Sequence, residues 1–185
     1  EEYAARCRQS ASADIRGRGP QPGPGQDITY VSAGEGRFYR AARKDLFNGE
    51  IAGYTPGSGM TKELVITSLL VAVKRKRPLS GLLNHSGRGR QYRPSGYRNL
   101  PDMFSMRASM SRKGNCHDNA PAESFRGTIK NGLVYHRRYA TRERAIREIT
   151  GYIEIFCNRR RRQKRPGYVY PIVYAQQYHE RKRAV

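Results

Sequence analysis

The chain has no tryptophan and only three cysteines, Cys7, Cys116 and Cys157, among 185 residues. Thiols odd in number and this widely spaced make no disulfide framework. Without a C-x-x-C or H-x-x-x-H pair there is no zinc-site signature either. That usage implies a reducing compartment, with the cytoplasm as the expected location. Long apolar runs are lacking too. The longest, Leu64 to Val73, contains Thr67 and Ser68 and falls short of the ~20 residues that span a bilayer, so no membrane-spanning role is expected. The opening Glu1-Glu2-Tyr3 is followed by no apolar stretch of the kind a secretory leader needs, and the missing initiator Met suggests a fragment. Acids are scarce: 15 Asp and Glu stand against 36 Lys and Arg, a net +21. Such an excess points to a polyanionic partner, nucleic acid or an anionic membrane face, rather than an ordinary soluble surface.

What is present reads as one mixed α/β domain with polar ends. Residues 1–26 include GRGPQPGPG, which suits neither a helix nor a central strand, and are expected to be a disordered or non-native leader. From Asp27 to Ser32, β-branched and aromatic residues predict a strand. A turn at Ala33–Gly36, a second strand from Arg37 to Phe47, the hairpin signal Asn48-Gly49 and a third strand from Glu50 to Thr55 complete an antiparallel meander. Thr61 is placed to cap a helix that Pro78 stops. Short strands are expected at Gly81–His85 and Ser105–Met110, with a helical turn at Tyr97–Phe104 between them. Asn119 and Pro121 open a helix whose Phe125, Ile129 and Leu133 share a face. Thr141 opens a last long helix with an Ile146, Ile149, Ile153 and Phe156 stripe, running into the basic Asn158–Arg165 end. Residues 179–185 are expected to be a basic tail.

Several residues could carry chemistry. Glu123 shares a helical face with Arg126, Gly127 and Lys130: a carboxylate beside two cations. Such a face suits a site that holds Mg²⁺ against a phosphodiester, and it equally suits a favourable first-turn charge. The loop His85-Ser86-Gly87-Arg88-Gly89-Arg90-Gln91-Tyr92 follows a strand end and offers glycines and arginines for phosphates, or is simply a flexible basic loop. Ser109 to Ser124 is long, polar and suited to a mobile element over a site. Cys116 and His117 adjoin in that stretch, and neighbours in sequence rarely face each other, so no nucleophile pair is assigned.

The strings DITYVSAGEG, KDLFNGEIAGY, NHSGRGRQY, SMSRKGNCHDNAPAESFRGTIKN and GYVYPIVYAQQY, in this order, resemble the catalytic half of bacterial insertion-sequence transposases with an integrase-type core. The resemblance runs from about Asp27 to Tyr178. It implies a ribonuclease-H-like fold: a mixed five-stranded sheet, three-stranded antiparallel meander plus parallel strands, flanked by helices. It also implies DDE recombinase chemistry, in which three carboxylates hold two Mg²⁺ ions for DNA cleavage and strand transfer. Implied partners are DNA, at element ends and target, and further copies of the chain on that DNA. Relatives carry a helix-turn-helix part upstream of the matching stretch.

By that resemblance the first acid is Asp27 and the third is Glu123. The second falls on Gly87, which has no ligand atom, and the nearest acid, Asp102, lies on the expected helical turn. The metal ligands are therefore expected to be Asp27 and Glu123, with Gly87 marking an unfilled place and catalysis impaired. The alternative is a non-catalytic nucleic-acid-binding protein on the same fold. DNA contacts are expected from Arg88, Arg90, Arg126, Lys130 and the run Arg159, Arg160, Arg161 and Arg162. That last run reads equally as a solvated helix end. Other departures from the family pattern are the missing Trp before the first strand, Gly132 in a helix interior, and Arg40 and Arg43 interrupting a strand expected to be apolar.

Overall fold

Strands β1 (Gly25–Ala33), β2 (Gly36–Lys44) and β3 (Ile51–Gly57) form an antiparallel meander in that order, in a computed structural model that describes residues 25–78, 80–87, 89–92, 95–111, 120–163 and 167–183. Local chemistry explains the turns. Gly36, at φ +98°, closes the first. In the second, Asp45 Oδ1 accepts from the Phe47 N–H at 2.8 Å and Asn48 Oδ1 from the Glu50 N–H at 2.9 Å, with Gly49 at φ +80°. β1 begins at Gly25, ahead of its expected start, and Gln26 is buried. Helix α1 (Lys62–Lys76) is capped by Thr61, whose side chain accepts from the Leu64 N–H at 3.3 Å. It lies on β3 at Gly53, where no side chain would fit beneath Ser68 and Ala72.

Strands β4 (Leu83–Ser86) and β5 (Arg107–Met110) pair in parallel, with short helices α2 (Ser95–Arg98) and α3 (Leu100–Met103) in the connection. The expected meander and parallel pair are both present. Their hydrogen-bond ladders are separate, and β4 packs beside β1. Side chains tie the two groups together: Arg43 Nη1 donates to Asn84 Oδ1 at 2.7 Å, and Tyr97 OH donates to Gln26 Oε1 at 3.0 Å.

Helix α4 (Ala120–Gly132) follows, then α5 (Arg142–Gly151), which continues as a π turn over Tyr152–Cys157, and then α6 (Pro171–Arg183). Thr141 caps α5 as expected, accepting from the Arg144 N–H. The meander is covered on both faces. Val31, Phe38 and Ile51 pack against Phe125 and Ile129 of α4 and Ile149 of α5. Ala41 packs against Leu64, Val65 and Leu69 of α1, with Tyr97 and Met106. Each Val, Leu, Ile, Phe or Met among them, fully buried, contributes roughly 1.5–3 kcal/mol. At the outer edge of the sheet, Asn158 Oδ1 accepts from the Ile51 N–H at 2.8 Å and Asn158 Nδ2 donates to the Ile51 carbonyl.

Three expectations are corrected. Arg40 and Arg43 do not break β2: both are buried, and Arg43 donates to Ser68 Oγ, Asn84 Oδ1, the Val65 carbonyl and Tyr97 OH. Gly132 is not a helix-interior defect: it ends α4, and the Tyr152 hydroxyl occupies the space a Cβ there would take. The last long helix does not run to residue 165: the Arg160 and Arg161 N–H groups both turn back to the Phe156 carbonyl, and the basic run leaves the helix. Helix α6, which sequence reasoning did not anticipate, docks on the β2–β3 turn through Phe47, with Tyr174 and Tyr178 ring centroids at 5.0 and 5.1 Å. The expectations for residues 1–24, Arg88, the 112–119 stretch with Cys116, His117 and the Asn119 cap, and 164–166 lie outside the described residues.

Candidate active site

Asp27 sits near the start of β1 with its side chain on the face that α4 covers. Alternation along β1 puts Asp27, Thr29 and Val31 on that face, and the register sets Asp27 opposite Ala42 and Thr29 opposite Arg40. Phe125 and Ile129 anchor α4 to the sheet. The next residue after Phe125, Arg126, reaches back toward the strand, its Nε 3.7 Å from Asp27 Oδ2.

Glu123 belongs to the same neighbourhood. Burial lifts the Asp27 carboxyl to about 6, Arg126 and the Ile28 N–H oppose that rise, the negative charge of Glu123 reinforces it, and Lys130 opposes it. The charge of Glu123 thus reaches Asp27 across the β1–α4 contact. Asp27 Oδ2 is buried and accepts no hydrogen bond among the described residues.

Gly87 follows β4 directly. A Cβ built there would touch Tyr92 Cε2 at 3.6 Å, an ordinary contact. Tyr92 is buried and its hydroxyl is pushed up by burial first, then by Tyr97; Asp27 adds to the rise. Tyr92 therefore links Gly87 to the Asp27 neighbourhood, and Gly87 has room for a side chain.

The cations divide. Arg126 is at the acids. Lys130 Nζ stands 4.3 Å from the Tyr30 ring centroid, with Arg37 on the same ring at 5.1 Å. Arg90 is exposed in a 3₁₀ turn (Arg90–Tyr92) after Gly87. Arg159, Arg160, Arg161 and Arg162 follow Asn158 at the β3 edge, with β2 between them and β1, so the structure does not bring them to the acids. Asp102 is exposed on α3. Sequence reasoning missed Thr29, Arg40, Tyr30 and Tyr92, whose places depend on strand register and long-range packing.

A divalent ion at this site would meet Asp27 and Glu123, with no donor at Gly87. Among the described residues no group of three His, Cys, Asp or Glu side chains could hold a metal. The residues fit such an ion only in part. Nor is any described helix long and apolar enough to cross a membrane.

Comparison with known proteins gives a consistent picture. Two models of the integrase core domain match residues 26–116 and 123–178. The chain is 47% identical over 154 residues to an uncharacterized 31 kDa protein of insertion element IS600 from Shigella sonnei, covering 83% of this chain and 57% of that protein. It is 38% identical over 135 residues to the transposase for insertion sequence element IS904 from Lactococcus lactis, covering 73% and 53%. To the transposase InsF for IS3A from Escherichia coli it is 32% identical over 158 residues, covering 85% and 55%. The chain thus spans about half the length of these curated relatives. In fold it is similar to the HTLV-2 integrase catalytic core domain solved with magnesium (TM-score 0.65, 15% identity, 86% of this chain and 99% of that one). It is equally similar to the Mos1 transposase catalytic domain (TM-score 0.65, 11% identity, 97% and 88%).

Proposed function

Because this chain belongs to the insertion-sequence transposases with an integrase-type core, we propose that it binds DNA as such a core and that Gly87 leaves its phosphodiester chemistry impaired. The observation that carries this is the meeting of Asp27 with Arg126 and with the charge of Glu123 across β1 and α4, with a Gly87 after β4 that has space for a side chain but no side-chain ligand atom. Asp27 and Glu123 would hold a divalent ion, which in such sites activates the attacking oxygen and stabilises charge on the phosphate. In the present sequence the second carboxylate is wanting, so no cleavage step is assigned to the chain as it stands. Its residues still do two things. Arg126, exposed and anchored at Asp27, is positioned to meet a DNA phosphate at the acids. Lys130 and Arg37, over Tyr30, extend the same cationic border.

The test is Gly87→Asp. The backbone there accepts a Cβ without strain, so the variant is expected to fold as the parent does and to gain Mg²⁺-dependent nicking of DNA carrying the element's ends. Adding Glu123→Gln to it should abolish that gain. A folded, DNA-binding Gly87→Asp that never nicks overturns the proposal.

A second reading has its own support. The net charge of +21, with glycine at the second acid position, supports a DNA-binding platform without catalysis. Its binding would respond steeply to salt and not at all to Mg²⁺, and Gly87→Asp would leave it inert.

A further inference from the structure

Beneath the acids, three buried groups on one face of the β1–β2 pair carry polar atoms that meet no hydrogen-bond partner among the described residues: Asp27 Oδ2, Thr29 Oγ1, and Nε and Nη1 of Arg40. All three residues line one small cavity, with Ala42 beside them and Phe125, Arg126 and Ile129 of α4 across it. The cavity leaves about 10 Å³ for the centre of a water molecule, which is close to the least a single water needs. The rest of the Arg40 head is occupied. Nη2 donates to Thr150 Oγ1 at 3.1 Å, and Cζ lies 4.9 Å from the Tyr54 ring centroid. Arg40 is 1% exposed, so its two idle nitrogens cannot turn to bulk solvent. Burial holds its guanidinium down to about 10, still charged at neutral pH.

The charges around the cavity select the occupant. Asp27 opposes an anion; Arg40, together with Arg126 whose Nε is 3.7 Å from Asp27 Oδ2, opposes a metal cation. A neutral molecule that both accepts and donates suits all three orphaned groups. We propose that this cavity is a binding site for one water, which accepts from the Arg40 guanidinium and the Thr29 hydroxyl and donates to Asp27 Oδ2. Arg40 is then a positioning residue that orients the Asp27 carboxylate from behind, through the water. The site itself stands on this geometry; its bearing on DNA chemistry rests on the role proposed for Asp27 above.

The unmodified chain decides the matter first. A crystal structure that orders internal waters should show one peak within about 2.7–3.2 Å of Arg40, Thr29 Oγ1 and Asp27 Oδ2. A dry cavity, or Arg40 bonded directly to Asp27, overturns the proposal. Thr29→Val keeps the shape and removes the hydroxyl. It should lose the water and turn the Asp27 carboxylate, while Thr29→Ser keeps both as in the parent. In solution, oxygen-17 relaxation dispersion should count one long-lived water fewer in Thr29→Val than in Thr29→Ser. An unchanged count and an unmoved Asp27 in Thr29→Val also overturn it. An inert Gly87→Asp with the water in place defeats only the functional proposal, and a nicking Gly87→Asp with a dry cavity defeats only this one.

Discussion

Asp45 and Asp27 share a property that neither shows in the sequence. Each carboxyl is lifted to about 6, chiefly by burial; at Asp45 the Phe47 N–H and Lys76 counter the rise and Glu50 adds to it. In the unfolded chain both titrate near 3.8. Between about pH 4 and pH 6 the folded state therefore holds more protons than the unfolded one. Stability from these two groups is complete below pH 4 and falls as pH rises through 6, by an order of 2–3 kcal/mol each at most. Asp45→Asn keeps an oxygen for the Phe47 N–H and removes the charge. Urea unfolding should show this variant more stable than the parent at pH 7, with a smaller difference between pH 5 and pH 7. An unaltered pH dependence would refute the burial account of Asp45. At this scale the family strings and the scarcity of acids pointed to Asp27 and Glu123, and the fold brings the charge of Glu123 to Asp27. Arg40 and Arg43 read as intrusions because their partners, Thr150 for one and Ser68, Asn84 and Tyr97 for the other, come from distant segments. No periodicity announces such a pairing.

Elements whose signals are local were readable. Thr61 and Thr141 cap their helices, Asn48-Gly49 turns the chain, and the meander follows from β-branched runs between turn residues. Helix α6 was missed because its tyrosines and glutamines show little contrast between faces; Pro171 in its first turn was the available clue. The close approach of α1 to β3 is equally invisible from sequence, since it resides in what Gly53 lacks. A Cβ there would lie 2.5 Å from the Ser68 carbonyl and 2.7 Å from the Ala72 Cβ and N. Gly53→Ala should push α1 outward and cost about 1–3 kcal/mol, read as a fall of roughly 3–10 °C in Tm. Gly151→Ala, where nothing lies within 4 Å, should leave Tm unchanged or raise it slightly. Equal melting points for the two variants would refute the close-packing explanation.

Over the whole molecule, the DNA binding proposed above is expected to follow charge. With a net +21, affinity for duplex DNA should fall linearly in log–log terms as salt rises. If six or more phosphates are contacted, the loss between 50 and 200 mM is on the order of a thousandfold. Arg126→Gln should lessen that slope by about one phosphate's share, which a fluorescence-anisotropy titration across salt concentrations can measure. Affinity indifferent to salt would refute a phosphate-led interface. The broad architecture was legible because the family strings run in order along most of the chain. The separation of the Arg159–Arg162 run from the acids was not, because it depends on which sheet edge Asn158 reaches.

The grip of Asn158 on Ile51 also bears on the life of the nascent chain. The rim of a sheet offers backbone donors and acceptors that another extended strand can add to, and Asn158 takes both of them at Ile51. Its guard is encoded 107 positions later, so it arrives late in synthesis. A chain cut short before Asn158 is expected to leave that backbone pair open to a neighbouring strand.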